Sequence, residues 1–288
     1  MTEKHSNTVR PLTRIVDGIA VQDGAGVKLL RIIGNQELPE LDPFLLLDQF
    51  KSENRDDYVA GFPPHPHRGF ETVTYMKNGS FTHEDSHGNV GHLKSGGVQW
   101  MTAGRGIIHS EMPAMQEGLL WGYQLWVNLP ARLKMTEPAY QDLQAHDLPE
   151  HQEPGARIRV LAGARGVATS PARTNIAFQY LDIALEDGHR FEQETPANHN
   201  VFVFVHSGQL QCTDATGELK TVTSGQLALF GAGERVSLAA ATPNGAGFLF
   251  ASAERIEEPI VRYGPFVMNT EAEIHAAIRD YQMGVLHR

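Results

Sequence analysis

His65-Pro66-His67 and His109-Ser110-Glu111 are two segments in which potential metal ligands stand two residues apart. Side chains alternate along a β-strand, so this spacing points both members of each pair to the same face of their strand. Two such strands facing each other would place three imidazoles and one carboxylate around a single point. The two segments therefore predict a β-structure built around a metal site.

The candidate ligands are His65, His67, His109 and Glu111, which combine three nitrogen donors with one hard oxygen. This donor set suits a divalent, iron-like transition metal and leaves room for an exogenous ligand. A single histidine is more often a core or surface residue than a ligand, but two matched pairs favour metal binding. We predict one divalent metal per chain, Fe(II) in the first place. Another divalent ion could replace it in a crystal, because the affinity order does not favour iron.

Composition excludes several classes of protein. The chain has 288 residues and a net charge of −10, which disfavours direct binding of nucleic acid. No apolar run approaches the roughly 20 residues of a membrane-spanning helix. The single cysteine, Cys212, suits a reducing compartment, and the first six residues do not resemble a signal peptide. We expect a cytoplasmic protein with no membrane partner.

Short apolar runs separated by turn residues recur in both halves of the chain and predict β-strands. Asn78-Gly79 is a hairpin signal, and Thr270 is a candidate cap for a helix through residues 272–281. The fold class predicted is all-β, with two tandem barrels and a short C-terminal helix. The predicted strands cover residues 27–34, 41–48, 71–76, 98–101, 124–129, 158–161, 178–183, 201–205, 227–230 and 247–251.

A polar, proline-containing segment divides the two halves. We predict an N-terminal metal-binding domain over residues 1–135, a linker over residues 136–154, and a C-terminal domain over residues 155–288 that ends in the helix. The barrels themselves should run from about residue 10 to 135 and from about residue 155 to 260. One short helical turn is expected near residues 137–143.

A weak internal repeat indicates that the second domain has lost the ligands. The glycine frame of residues 104–109 recurs at residues 231–236, where a valine replaces the histidine. Counting back from the corresponding turn glycines puts Glu194, Thr195 and Pro196 in the place of residues 65–67. We therefore predict a second barrel without a metal.

The histidine cluster at residues 83–87, together with His92, has two interpretations. It could be a second metal site, but it follows the Asn78-Gly79 turn. We interpret it as the solvated end of a polar hairpin.

The longer motifs resemble one family closely. Residues 62–75, 99–113, 124–129 and 263–269 are similar to the pirin family, and residues 65–71 have the HxHxxxE form of the first cupin signature. The resemblance implies two tandem cupin (jelly-roll-like) barrels with one metal, usually iron, in the N-terminal domain. It assigns the ligands to His65, His67, His109 and Glu111. Glu71, which stands where many cupins have their carboxylate ligand, is then a supporting group.

The resemblance also implies a function. Several pirins show quercetin 2,3-dioxygenase activity, so it implies a flavonol-like aromatic substrate and O2. A bound metal would lower the pKa of the substrate hydroxyl, and Glu111 could accept its proton as a general base if it loosens from the metal. Other pirins are binding partners of transcription factors or metabolic enzymes. The alternative is therefore a redox-sensing protein whose metal oxidation state controls binding to a protein partner. Phe62, Phe44 and Met112 are candidate pocket walls because they are close to the motifs in the sequence.

Overall fold

The computed structural model describes residues 8–288, which form two compact units. One unit, called the first barrel, comprises residues 19–147 and 256–288. The other unit, called the second barrel, comprises residues 8–18 and 148–255. The structure confirms the predicted all-β fold with two barrels and a C-terminal helix.

Strands account for most of the regular structure. The strands before residue 145 are β1 (Leu12–Asp17), β2 (Ile19–Asp23), β3 (Val27–Ile33), β4 (Phe44–Ser52), β5 (Phe62–His67), β6 (Phe70–Asn78), β7 (Ser80–Asp85), β8 (Val90–Lys94), β9 (Val98–Thr102), β10 (Ile107–Pro113), β11 (Leu120–Asn128) and β12 (Ala139–Leu143). The later strands are β13 (Glu150–Glu153), β14 (Ala156–Ala162), β15 (Ala164–Arg165), β16 (Ala168–Thr169), β17 (Phe178–Leu185), β18 (Arg190–Glu194), β19 (His199–Ser207), β20 (Gln209–Thr213), β21 (Leu219–Thr223), β22 (Gln226–Phe230), β23 (Arg235–Ala240), β24 (Ala246–Glu254), β25 (Val261–Tyr263) and β26 (Phe266–Met268).

The C-terminal helix α1 (Glu271–Gln282) begins where the sequence predicts. The Thr270 hydroxyl accepts a hydrogen bond from the backbone N–H of Glu273, which satisfies one of the unpaired donors of the first turn. Ile274 and Ala277 bury the apolar stripe of the helix. Within residues 8–288, no helix is long and apolar enough to cross a membrane.

Two sheets form the body of the first barrel, and a two-stranded sheet of β25 and β26 belongs to the same unit. A seven-stranded sheet has the order β12-β9-β6-β11-β4-β3-β2, and a four-stranded sheet has the order β5-β10-β7-β8. Both sheets contribute to one apolar cluster, in which Phe50 of the larger sheet stacks on Phe81 of the smaller one, with ring centroids 5.2 Å apart. The inner faces of the two sheets therefore share a core.

The second barrel repeats this arrangement. Its larger sheet has the order β1-β22-β19-β24-β17-β14-β13, and its smaller sheet has the order β18-β23-β20-β21. Phe191 of the smaller sheet packs edge to face on Phe248 of the larger one, with ring centroids 5.4 Å apart. Cys212, the single cysteine, is buried in the same core, and burial raises the pKa of its thiol to about 11.

The two ends of the chain do not follow the predicted domain boundaries. The N-terminal strand belongs to the second barrel, and the C-terminal segment belongs to the first. β1 pairs with β22 of the second barrel, and residues 256–288 belong to the first barrel. In the first barrel the buried ammonium of Lys134 donates to the carbonyls of Gly69 (2.9 Å) and Val267 (3.0 Å). The observed units thus differ from a division into residues 1–135 and 155–288. An edge strand needs a partner of matching register, and that partner can be distant in sequence.

The predicted helical turn near residues 137–143 is wrong. Residues 139–143 form β12, which pairs with β9 at the edge of the larger sheet of the first barrel. A one-turn 3-10 helix occurs instead at Ala131–Leu133. An edge strand has one solvated side and can be polar, so composition alone makes it resemble a loop.

The Asn78-Gly79 turn is present but does not close a hairpin. It connects β6 and β7, which lie in different sheets, and Gly79 adopts a φ of +98°. Glycine is suited to this left-handed conformation because it has no Cβ. The turn therefore moves the chain from one sheet of the barrel to the other.

Candidate metal centre

Three histidines converge inside the first barrel. Strand β5 carries His65 and His67, and the antiparallel strand β10 places His109 directly opposite His65. One potential ligand atom from each ring lies within 4.8 Å of the other two. The strand spacing proposed from the sequence therefore brings these three side chains to one point.

The hydrogen bonds of the three rings leave the same nitrogen available in each. Nδ1 of His65 lies 2.8 Å from the Pro63 carbonyl oxygen, and Nδ1 of His67 lies 3.4 Å from the Pro265 carbonyl oxygen. A carbonyl only accepts, so each Nδ1 carries the proton and each Nε2 keeps its lone pair. Nε2 of His109 is buried and has no hydrogen-bond partner in the protein. A buried, unpartnered imidazole nitrogen beside two others fits a metal ion.

The electrostatics of the site favour neutral imidazoles. Burial lowers the pKa of His67 and of His109 well below 6.5, and the neighbouring histidines lower both further. A neutral imidazole has the free lone pair that a metal requires. These two side chains are therefore in their ligating form at neutral pH.

Glu111 is buried beside the three histidines but is held by other groups. Its Oε1 accepts a hydrogen bond from the hydroxyl of Thr74 at 2.7 Å, and its Oε2 accepts one from the amide of Gln124 at 3.1 Å. Glu111 lies outside the compact set of three imidazoles, but it lines the same cleft as His65 and His67. Thr74 and Gln124 were not identified from the sequence.

A row of polar residues explains how the larger sheet holds this carboxylate. The row crosses five strands at one register level and consists of Arg31, Asp48, Gln124, Thr74 and Gln99. Directly opposed residues on adjacent strands lie on the same face of the sheet. Each position interrupts an otherwise apolar inner face, and only the alternation pattern of all five strands together could have revealed the row.

His83 is the main functional candidate that the sequence analysis missed. The prediction of a solvated hairpin end is wrong for this residue, whose exposed fraction is 0%. Its Nδ1 lies 3.4 Å from Nδ1 of His109, and its Nε2 lies 3.4 Å from a carboxylate oxygen of Asp85. His83 belongs to β7, and strand alternation turns it inward, whereas His87 and His92 are exposed.

The His83 ring is also fixed from the side. It stacks on Tyr140, with ring centroids 4.6 Å apart and 19° between the planes. Burial by itself would raise the pKa of Asp85. The carboxylate accepts hydrogen bonds from His83, from the Asn89 side chain and from two backbone N–H groups, and these lower its pKa to about 2. An ionised Asp85 therefore accepts the proton on Nε2 of His83.

His65, His67 and Glu111 line a cleft of about 580 Å³ in the first barrel. Phe62 lines the cleft as predicted, whereas Phe44 and Met112 do not. Met112 follows Glu111 on the strand and points to the opposite face, and a register shift places Phe44 opposite Val127. The apolar lining residues include Leu29, Leu46, Phe50, Phe62, Phe81 and Trp126.

Glu71, the alternative carboxylate, does not line this cleft. It is fully buried in β6 and accepts a hydrogen bond of 2.6 Å from the hydroxyl of Thr102. Its neighbours therefore give it a role in holding adjacent strands together.

The second barrel has different side chains at the corresponding positions. Gln193 lies opposite Val236, as His65 lies opposite His109 in the first barrel. The structural counterparts of residues 65–67 are thus residues 193–195, not 194–196 as predicted. The segment from Thr195 to Gly208 is one residue longer than the segment from His67 to Gly79. Counting back from the two glycines by equal steps therefore gives the wrong register.

Comparison with known proteins gives consistent results along the chain. Residues 26–127 match the family model for pirin, and residues 180–287 match the model for the pirin C-terminal cupin domain. A Vibrio cholerae protein with the provisional name quercetin 2,3-dioxygenase is 45% identical over 96% of this chain and 97% of its own. Human pirin is 40% identical over 90% of this chain and 88% of its own. The crystal structure of a quercetin 2,3-dioxygenase from Acinetobacter baumannii has a TM-score of 0.86 at 34% identity, covering 96% of this chain and 98% of that one.

Proposed function

The chain belongs to the pirin family, and on this basis we propose that it is a metal-dependent dioxygenase that cleaves flavonol-like aromatic substrates with O2. One observation carries the proposal: three imidazoles each bring a potential ligand atom within 4.8 Å of the other two, and two of them line an apolar cleft. The relatives named quercetin 2,3-dioxygenase support the same reaction.

We assign the metal to His65, His67, His109 and Glu111, and we propose Fe(II) as the native ion. Three neutral imidazoles and a carboxylate suit such an ion and leave positions for further ligands. A bound divalent ion would lower the pKa of a chelating hydroxyl and supply the redox chemistry. The second barrel, with Val236 in the place of His109, is proposed to hold none.

Glu111 is also the proposed proton acceptor, in the state in which its carboxylate has loosened from the metal. A flavonol presents a hydroxyl beside a carbonyl, and this hydroxyl must lose its proton to become reactive. Thr74 and Gln124 each donate a hydrogen bond to a separate oxygen of Glu111, which fixes the plane of the carboxylate. A positioned carboxylate within hydrogen-bond reach of the substrate acts as a general base.

The walls of the cleft suit a flat ring system. Trp126 packs on Phe70 behind the site, with ring centroids 4.4 Å apart, and its indole also lies edge to face with His67. Phe62 and Phe81 contribute further aromatic surface. Such walls bind an aromatic substrate and exclude water from it.

His83 and Asp85 are the proposed positioning residues. Asp85 accepts the proton on Nε2 of His83, so Nδ1 of His83 is an acceptor for the Nδ1 proton of His109. This chain of contacts keeps the lone pair of His109 on Nε2. Partners of this kind orient a ligating histidine and raise its basicity.

The decisive experiment measures O2 uptake by the purified, iron-loaded chain on addition of quercetin, together with its metal content. We expect one metal per chain and O2 consumption coupled to loss of quercetin. His109→Ala should remove both, and Glu111→Gln should retain part of the metal but lose far more activity. Val236→Ala in the second barrel is the control and should change neither.

Retention of iron without O2 uptake would contradict the proposal. Capture of a protein partner in only one iron oxidation state would then favour the redox-sensing alternative. Two metals per chain in the wild type would contradict the assignment of a single site.

A further inference from the structure

The cleft contains a cationic side chain, Arg262, that makes no salt bridge within residues 8–288, although the carboxylates of Asp48, Glu40 and Asp23 act on its charge from further away. Arg262 of β25 lines the cleft and makes one hydrogen bond, from Nη1 to the Leu45 carbonyl oxygen at 3.2 Å. Its guanidinium carbon lies 4.8 Å from the ring centroid of Trp126. Within residues 8–288 it forms no ion pair, so most of its N–H donors are available.

Arg31, the second arginine that lines the cleft, is fully paired with carboxylates. Arg31 donates to both oxygens of Asp48, at 2.9 and 2.7 Å, and also to Asp23 at 2.7 Å. Two carboxylates therefore compensate its charge, and its fork of donors is occupied. Arg31 serves to hold strands β3 and β4 together, and Arg262 is the cation of the cleft that remains able to bind a ligand.

Trp126 contacts both Arg262 and one of the three histidines. Its indole contacts the guanidinium, and the ring centroid of His67 lies 5.1 Å from that of the indole. An aromatic ligand bound at the histidines would therefore lie in the same cleft as the guanidinium of Arg262. The cation–π contact with Trp126 holds the guanidinium in the cleft.

We propose that the cleft selects planar aromatic substrates that carry an anionic group, such as a carboxylate, in addition to the metal-chelating oxygens, and that Arg262 binds this group. The inference rests on the proposed function, because it takes the histidines as the anchor for the chelating oxygens. Arginine is suited to the role because its planar fork matches a carboxylate with two parallel hydrogen bonds. Arg262 is thereby assigned as a specificity-determining residue of the cleft.

The test uses two ligands that differ only in charge, 3,4-dihydroxybenzoate and 3,4-dihydroxybenzamide. Calorimetric titration of the full chain loaded with Ni²⁺ measures binding without turnover. We expect the wild type to bind the benzoate at least about tenfold more tightly than the amide, a difference of about 1.4 kcal/mol. Arg262→Gln should bring this ratio close to one without weakening the amide, and Arg262→Lys should retain part of the preference.

The control variant is Arg157→Gln, which removes an exposed arginine of the second barrel and should leave the ratio unchanged. Thermal unfolding and nickel content establish that each variant is folded and loaded. If both ligands bind and the ratio is the same in the wild type and in Arg262→Gln, the inference is overturned while the chelating cleft stands. If neither ligand binds to the nickel-loaded chain, both the inference and the proposed function fail.

Discussion

The Nδ1 atoms of His83 and His109 lie 3.4 Å apart inside the first barrel. The contact connects a proposed metal ligand to Asp85, on the adjacent strand β7, through a residue that the sequence motifs do not include. The candidate metal site of this pirin therefore extends beyond its proposed ligands to a buried histidine and its carboxylate.

We predict that His83→Ala weakens metal binding about 10–100-fold, because His109 loses the acceptor that fixes its tautomer. The affinity is measured by competition with a chelator of known strength. His87→Ala, an exposed histidine of the same hairpin, is the matched control and should bind metal as the wild type does. Equal affinities in the two variants would show that His83 only fills space.

Thr74→Val and Thr102→Val form a second matched pair. Each threonine is buried and donates to a buried glutamate, Glu111 or Glu71 respectively. Each variant should lose about 1–3 kcal/mol of unfolding free energy, because a buried carboxylate loses a donor. Only Thr74→Val should lower the kcat for quercetin, with little change in KM. A similar loss of kcat in Thr102→Val would indicate that Glu71, not Glu111 alone, serves the reaction.

The stability of the chain should depend on Asp85 in acid. Its folded pKa of about 2 lies below the ordinary value of 3.8. The ionised form is therefore favoured by folding, and its contribution is complete above pH 3.8 and disappears as the pH falls through 2. We expect this contribution to be at most about 2 kcal/mol. The difference in unfolding free energy between wild type and Asp85→Asn, measured by urea denaturation, should shrink over that range. A difference independent of pH would refute the assignment.

Gly69→Ala tests how closely the C-terminal segment packs on the first barrel. Gly69 has a φ of +90°, and a Cβ there would collide with the Val267 carbonyl oxygen. Gly88 has a similar φ of +83° with open space around it. Gly88→Ala should therefore cost about 1–2 kcal/mol for its backbone alone, and Gly69→Ala clearly more. Thermal unfolding measures both, and equal shifts in Tm would mean that the segment moves away at no cost.

The sequence by itself determined the features that depend on local spacing. Alternation along a strand places His65 with His67 and His109 with Glu111, and a capping threonine followed by an apolar stripe specifies the C-terminal helix. These patterns extend over a few residues, so they can be recognised without knowing which segments are neighbours in space. The family motifs extended the same information to the whole chain.

Only the tertiary structure decided which distant segments complete the site. His67 contacts Pro265, which is 198 residues away in the sequence, and Arg262 of the same segment reaches the cleft beside Trp126. The inward orientation of His83 and the polar row behind Glu111 depend on the registers of strands in two sheets. Periodicity indicates that a strand has a buried face, but it carries no information about which remote strand, or which end of the chain, covers that face.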